Sequence, residues 1–270
     1  MCELFAMSTK HPSTVQLSLE EFSRHGGLFG PHKDGWGIAW YDERDVRLVK
    51  EAFPAASSAC VRFIQDNPFV TTFAVSHVRK ATRGELALRN CQPFVRELGG
   101  SWHSFAHNGD LPGIEGDAHL PANMFLPVGE TDSEQAFCAL LERLRPLWRA
   151  KQPPDLAARL QVIKPFAAEL RSRGPANFLY CDGDALFAHA DRRHRDDGAI
   201  RPPGLWSLTR RCAAGGELST TGLRIEAHGA EQDVVLVASV PLTTEGWVPL
   251  QRGEILVARC GVLHSSASAS

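Results

Sequence analysis

The first ten residues, MCELFAMSTK (residues 1–10), place a cysteine directly behind the initiator methionine and ahead of an apolar run. This stretch leaves two interpretations of Cys2 open. A free cysteine is most often a small buried apolar residue, here at the start of a strand. Alternatively, removal of Met1 exposes Cys2 as the N-terminal residue, with its thiol as a nucleophile and its own α-amino group as the adjacent base. The rest of the sequence must distinguish them.

The bulk composition excludes several classes of protein. Of 270 residues, 43% are hydrophobic and 22% charged, and the net charge of −2 gives no basic field for nucleic acid or an anionic membrane. No apolar run is long enough for a transmembrane helix, and no signal peptide is visible. The seven cysteines are dispersed without a C-x-x-C pair. This pattern predicts reduced thiols in a cytoplasmic protein, without a disulfide framework, a metal or another cofactor.

Most of the chain has the β-branched and aromatic composition of strands. Apolar runs on both sides of DERD (residues 42–45) predict a hairpin over 36–51. Asp182-Gly183 predicts a second hairpin, because this dipeptide suits a tight turn. Further strands are predicted over 69–78, 101–109, 232–242 and 253–263.

Three stretches predict helices: 58–66, 132–151 and 155–173. Pro165 lies inside the third and is expected to kink that helix or split it in two. Because the helices come in blocks and do not alternate with every strand, the order favours an α+β fold with antiparallel sheets covered by helices.

No repeat or linker divides the chain, so we expect a single domain over residues 1–264 and a disordered tail over 265–270. The charged, Pro- and Gly-rich stretch over 192–204 predicts a surface loop.

Four polar, glycine-containing stretches stand at predicted strand or helix ends, where a site would be built. Each also has an ordinary explanation: a loop into a hairpin, a solvated basic loop, a tight Asn-Gly turn, and a helix start with a Thr131–Glu134 capping box. The stretches are GPHKDGWGIAWY (30–41), SHVRKATRGE (76–85), FAHNGD (105–110) and GETDSEQAF (129–137).

Taken together and in this order behind Cys2, these stretches resemble the class II glutamine amidotransferases, which hydrolyse an amide with an N-terminal cysteine. The resemblance runs from Cys2 to about Phe137. The stand-alone bacterial type is similar over nearly the whole length, including DGWGIAWY (34–41). It implies the four-layer αββα sandwich of N-terminal-nucleophile hydrolases, in agreement with the α+β interpretation.

The resemblance also implies roles for individual residues. Cys2 is the nucleophile, and the Asn108 side chain with the Gly109 N–H forms the oxyanion hole. Arg79, supported by Thr82, holds the α-carboxylate of a glutamine-like substrate, and its α-ammonium group faces a carboxylate at position 132, Asp132. Six further residues are predicted to line the pocket: His32, Asp34, Trp36, His77, Lys80 and His107.

Two features depart from family members that carry a synthase. Lys80 and Arg83 stand where an aromatic residue and a histidine or small residue are frequent. No sugar-isomerase, phosphoribosyl or nucleotide-binding signature follows the recognisable half. The sequence therefore leaves two substrate interpretations: glutamine, with ammonia passed to a separate synthase, or γ-glutamyl peptides and amides.

Two other hypotheses are weaker. His103 and His107 have a spacing that suits a zinc site on a helix, but a strand separates them by about 13 Å. A silent binding protein would have lost catalytic residues, whereas Cys2, Arg79, Asn108 and Asp132 are all present.

Overall fold

A computed structural model describes residues 2–17, 34–80, 84–117, 124–149, 152–195, 197–219, 223–228 and 230–268. Over these residues the chain forms two large sheets in which every strand pairing is antiparallel. No helix in this part of the chain is long and apolar enough to cross a membrane.

The first sheet has nine strands, and β1 lies near its centre. In spatial order its strands are β15 (Val248–Pro249), β11 (Trp206–Cys212), β14 (Gln232–Ala238), β1 (Glu3–Leu17), β4 (Phe69–Val78), β2 (Trp36–Asp42) and β3 (Asp45–Glu51), with β13 (Leu223–Ala227) on β1 and β12 (Glu217–Ser219) on β13.

The second sheet has six strands, and a two-stranded ribbon stands apart from both. In spatial order the six are β17 (Val262–Ser268), β16 (Glu254–Arg259), β8 (Leu186–His189), β7 (Ala176–Cys181), β6 (Ser101–Gly109) and β5 (Phe94–Leu98); the ribbon is β9 (Arg193–His194) with β10 (Ile200–Arg201).

Three hydrophobic cores separate four layers. Alternation along β1 sends Leu4 and Ala6 into the core between the two sheets, and Phe5 and Met7 into the core on the outer face of the first sheet. Helix α1 (Ala59–Asp66) closes that outer core. Helices α2 (Asp132–Leu144) and α3 (Leu156–Arg173) cover the second sheet in the same way. The layer order is therefore α, β, β, α, which confirms the predicted fold class.

The predicted hairpins over 36–51 and around Asp182-Gly183 are confirmed. The strands at 69–78 and 101–109 are present, and α1 follows Ser58, whose hydroxyl accepts the Val61 N–H (3.0 Å). The run over 253–263 is two strands, because the turn at Cys260-Gly261 folds β17 back onto β16.

Two helix predictions need correction. Helix α2 ends at Leu144 instead of continuing to Lys151, because Pro146 has no N–H to extend the hydrogen-bond ladder. The Leu147 N–H donates to Leu144 O (2.9 Å) and closes a tighter turn. Helix α3 is not split at Pro165: it is one 18-residue helix. Burial of its apolar face, including Ile163 and Phe166, outweighs the single hydrogen bond lost at the proline.

Two surface predictions also need correction. The stretch over 192–204 contains the β9–β10 ribbon, and Arg193 within it is buried. A tail beginning at residue 265 is wrong, since β17 pairs with β16 as far as Ser268. The single-domain interpretation of 1–264 stays a prediction.

Candidate active site

Strand ends from both sheets meet at one edge of the sandwich. Glu3 at the start of β1 pairs with Val78 at the end of β4, so Cys2 and Arg79 follow side by side. Asn108, near the end of β6 in the other sheet, donates its side-chain amide to the Cys2 carbonyl oxygen. The fold therefore brings together three residues that are far apart in sequence.

The Cys2 side chain is half-buried and lies against the main chain of Lys80. Its Sγ accepts the Lys80 N–H (3.2 Å) and donates to the Lys80 carbonyl oxygen (3.4 Å). Burial raises the pKa of the Cys2 thiol above its ordinary value, and the Lys80 N–H offsets only part of that effect. At neutral pH the group is a thiol, so a nucleophilic attack by Cys2 needs a base.

Asn108 is buried and is held from both sides. Its main-chain carbonyl oxygen accepts from the Asn177 side-chain amide on the neighbouring strand β7 (3.2 Å). The next residue must be glycine, because a Cβ on Gly109 would lie 1.8 Å from the Pro175 carbonyl oxygen. The amide of Asn108 and the main chain of Gly109 thus lie at a fixed position beside the residue that carries the thiol.

The Arg79 side chain is buried and turned onto backbone carbonyl groups. Its guanidinium donates to the carbonyl oxygens of Asp34 (3.4 Å), Glu85 (3.3 Å) and Gly84 (3.5 Å). The Arg79 N–H donates to Gly35 O (2.8 Å), and Asp34 N–H donates to Arg79 O (3.3 Å). The turn before β2 and the loop after β4 therefore orient this guanidinium together. Thr82, its predicted support, lies outside the described residues.

Asp132 opens helix α2 and is tied to the segment that follows Gly109. One carboxylate oxygen accepts the Leu111 N–H (2.8 Å) and the other accepts the Ser133 N–H (2.8 Å). A third bond comes from the Ser133 hydroxyl (3.3 Å). Because a carboxylate has about four acceptor sites, one is left to accept from a cationic donor.

The capping box at this helix is half formed. Thr131 Oγ1 accepts the Glu134 N–H (3.3 Å), as predicted. The Glu134 carboxylate does not return to Thr131; it accepts the Gly129 N–H (2.7 Å) and pairs with Arg96.

The remaining predicted pocket residues have different surroundings. His77 and His107 are buried, and His107 Nδ1 lies 2.9 Å from Ser133 Oγ, which contacts Asp132. Burial lowers the pKa of His107. Lys80 is exposed, and its backbone contacts the thiol.

Trp36 is placed differently from the prediction. Its side chain packs in the outer core of the first sheet, and its indole N–H donates to Glu51 (3.1 Å). His32 lies outside the described residues. Among the residues that are described, no group of three or more histidine, cysteine or acidic side chains could hold a metal ion.

Sequence reasoning missed Glu3, Arg193 and Asn177, which are buried around the strand ends that carry Cys2 and Asn108. For Asn177 a signal was present, since a buried-strand pattern, ANFLYC (176–181), contains one amide. The charged run around Arg193 indicates an exposed loop and does not predict that this side chain is buried.

Comparisons with known proteins agree on one family. The family model described as "Glutamine amidotransferases class-II" matches residues 1–270. YafJ of Escherichia coli (strain K12), assigned by its name to the glutamine amidotransferases, is 38% identical over 259 residues, which cover 94% of this chain and 96% of YafJ.

Two solved structures share the fold. The crystal structure of a protein from Pseudomonas aeruginosa PA01, predicted to be a glutamine amidotransferase, has a TM-score of 0.71 at 33% identity and covers 98% of this chain and 100% of its own. Glutamine phosphoribosylpyrophosphate amidotransferase from B. subtilis has a TM-score of 0.63 at 17% identity; the match covers 100% of this chain and 49% of that one.

Proposed function

Because this chain belongs to the class II glutamine amidotransferases, enzymes that act on a carboxamide C–N bond, we propose that it hydrolyses the γ-amide of glutamine through a thioester on Cys2. The products are glutamate and ammonia. The observation that carries the proposal is the meeting of Cys2, Arg79 and Asn108 at one edge of the two sheets.

Proton transfer in this reaction needs a free amino terminus. Removal of Met1 turns the Cys2 nitrogen from an amide into an α-amino group, whose reference pKa of about 7.7–8.0 leaves a neutral fraction at pH 7. This amine takes the thiol proton as Sγ attacks the amide carbon, and returns it to the nitrogen as the C–N bond breaks. Water then attacks the thioester carbon and loses a proton to the same amine, which passes it to Sγ as the C–S bond breaks and glutamate leaves.

The negative oxygen formed in each attack needs two donors. The Asn108 amide and the Gly109 N–H fill this role. Asn108 contacts Cys2 and is held by Asn177 of β7, and Gly109, the next residue, packs against the Pro175 carbonyl oxygen just before β7. The Asn108 amide donates to the Cys2 carbonyl oxygen. Binding of substrate therefore exchanges one oxygen acceptor for another at this donor.

Recognition of the glutamyl end falls to two charged groups. The guanidinium of Arg79 offers a planar set of donors that suits the α-carboxylate, and Thr82 adds a further donor. The Asp132 carboxylate accepts from the α-ammonium group. These residues recognise the same end of glutamine and of a γ-glutamyl peptide, so the leaving amine decides between the two substrates.

Release of glutamate from a small panel tests the proposal. The panel contains glutamine, a γ-glutamyl peptide and a γ-glutamyl amine, with Cys2→Ala beside the wild type, after intact mass confirms that Met1 is absent. We expect glutamine to be the best substrate and Cys2→Ala to release nothing. Faster turnover of a γ-glutamyl compound would assign the γ-glutamyl substrate class instead. Release that persists in Cys2→Ala, or no release from any panel member, would contradict the mechanism.

Ammonia from this reaction is proposed to serve a separate acceptor enzyme. Co-purification of a synthase with the full-length chain, and faster glutamine hydrolysis when that synthase is added, would support this role. Unchanged turnover in the presence of a co-purified synthase would argue for a free-standing hydrolase.

A further inference from the structure

The segment that follows β8 contacts both of the strands that carry the site. Asn177, in β7, donates its amide to the Asn108 carbonyl oxygen (3.2 Å) and to the Arg192 carbonyl oxygen (2.8 Å). Its side-chain oxygen accepts the Asp191 N–H (2.7 Å). The main chain of 191–192 is thereby fixed against the strand of the proposed oxyanion donor.

The next residue, Arg193, crosses to the strand of the nucleophile. Its guanidinium donates to the Glu3 carboxylate (2.9 Å) and to the Ser239 carbonyl oxygen. Ser239 in turn accepts the Leu4 N–H on its hydroxyl (3.0 Å) and donates its own N–H to Leu4 O (3.0 Å). Glu3 and Leu4, the two residues behind Cys2, are therefore held from one side by Arg193 and Ser239.

Burial makes this contact specific. Glu3 is 5% and Arg193 6% exposed, and a buried carboxylate that loses its partner is strongly disfavoured. Two adjacent residues, Arg192 and Arg193, thus connect Asn177, which contacts the Asn108 strand of one sheet, to the Cys2 strand of the other. A shift of either strand would break a buried contact.

We propose that Arg193 is a positioning residue, which acts through Glu3 to set the Cys2 thiol relative to the Asn108 amide. This inference deepens the proposed function and rests on it. Arg193 touches neither the thiol nor the oxyanion donors, so its effect is expected on turnover and not on binding of the glutamyl end.

Arg193 also affects the net charge near the Cys2 thiol. The charges that act on the Cys2 thiol are those of the amino terminus, Glu3 and Arg79. Besides burial, the Glu3 carboxylate raises the pKa of the thiol. The Arg193 guanidinium lies 2.9 Å from that carboxylate and pairs with its charge. Without Arg193, the uncompensated carboxylate disfavours the thiolate and slows its alkylation.

The test compares Arg193→Met, Arg193→Lys and Glu3→Gln with wild type. We expect Arg193→Met to lower kcat about 10- to 100-fold, the scale of a small misplacement of reacting groups, with KM for glutamine little changed. Arg193→Lys keeps the charge and should recover part of the loss. The double variant Glu3→Gln/Arg193→Met should lose no more kcat than Arg193→Met alone, because both substitutions remove the same Glu3–Arg193 contact.

Arg159→Met is the matched control. Arg159 is also a buried arginine with a carboxylate partner at 2.7 Å, but its partner is Asp182 at the far end of β7. If Arg193 were merely structural, Arg193→Met would lower thermal stability and leave kcat of the folded protein unchanged, as we expect for Arg159→Met. Equal effects, or wild-type kcat in Arg193→Met, would overturn the proposal. If Arg193→Met fails to fold, wild-type kcat in both Arg193→Lys and Glu3→Gln would overturn it equally.

A second measurement is independent of substrate. The rate of Cys2 alkylation by iodoacetamide, followed by peptide mass spectrometry to separate it from the other cysteines, should fall in Arg193→Met and not in Arg159→Met. If wild type turns over no panel substrate but the alkylation pattern holds, the proposed reaction fails while the positioning contact stands. Unchanged alkylation in Arg193→Met, with turnover intact in wild type, contradicts the positioning role alone.

Discussion

The hairpin and the site lie toward opposite ends of strand β7, and the buried arginine at each place is held in a different way. At the Asp182-Gly183 hairpin, Arg159 donates to two carboxylates, Asp182 (2.7 Å) and Asp184 (2.7 Å). At the site, where Asn177 of β7 pairs with Asn108, Arg79 donates to main-chain carbonyl oxygens and Asn108 donates to that of Cys2.

The difference separates stability from function. Contacts between charged side chains hold the hairpin, so substitution of one side chain breaks them. At the site, the Arg79 guanidinium and the Asn108 amide are oriented by main-chain carbonyl oxygens, so their geometry follows from where the strands end. We expect changes at the hairpin to lower stability with little effect on turnover, and changes at the site to do the reverse.

The largest expected effect is on stability at the hairpin. Arg159→Met leaves Asp182 buried without its partner and should cost about 3–5 kcal/mol of unfolding free energy. Chemical denaturation measures this, and kcat for glutamine at a temperature where the variant is folded should equal that of wild type. A large fall in kcat would show that the two ends are coupled.

Asn108→Ala tests the opposite end. Removal of one oxyanion donor costs about 10²- to 10³-fold in kcat, while Tm should change by only a few degrees. Asn67→Ala, which removes an exposed asparagine at the end of α1, is the control and should leave kcat unchanged. Wild-type turnover in Asn108→Ala would remove Asn108 from the mechanism.

Asp132→Asn should act on binding, with a smaller effect. Loss of the carboxylate charge is expected to raise KM for glutamine about 10- to 100-fold, the equivalent of about 1.5–3 kcal/mol for a hydrogen bond to a charged group. The matched substrate is glutaramate, which lacks the α-amino group. Its KM should not respond to the substitution; an equal rise for both substrates would place Asp132 outside ammonium recognition.

The last effect concerns acid stability and is carried by His189 in the second sheet. Burial lowers the pKa of His189 from 6.5 to about 3, while its Nδ1 lies 2.8 Å from Ala176 O. Below pH 6.5 the unfolded chain therefore binds a proton that the folded chain does not, and stability falls as pH decreases toward about 3.

The slope from this one histidine is at most about 1.4 kcal/mol per pH unit. Denaturation midpoints of wild type and His189→Gln, measured from pH 7 to pH 4, isolate its share, because the other buried histidines are common to both proteins. Parallel curves would contradict the assignment.

Whereas the predicted strand over 232–242 ends earlier, at Ala238, the sequence predicts the ends of the strands at 69–78 and 101–109, because residues that strands disfavour follow them. HNGD (107–110) and VRKA (78–81) are examples, and the DERD hairpin has the expected register. The order of elements also predicts the α+β class. Side-chain direction is harder to predict: Trp36 belongs to a strand that reaches the site, yet packs in the outer core.

The Arg193 contact lies beyond sequence reasoning for a different reason. Glu3 and Arg193 are separated by 190 residues, and neither has a neighbour in the sequence that reveals the pairing. The same holds for the length of α3, where burial of a whole face outweighs the local effect of Pro165.

The central place of β1 in its sheet has a consequence for biosynthesis. One neighbour of this strand is β4, but the other is β14, and Phe5 pairs with Ala238. On a ribosome that adds roughly 5–20 residues per second, the strand that begins beside Cys2 waits on the order of ten to forty seconds for β14 to be made. A nascent chain cut short before Gln232 lacks this neighbour, so the pairing of Phe5 with Ala238 forms only after residues 232–238 have been made.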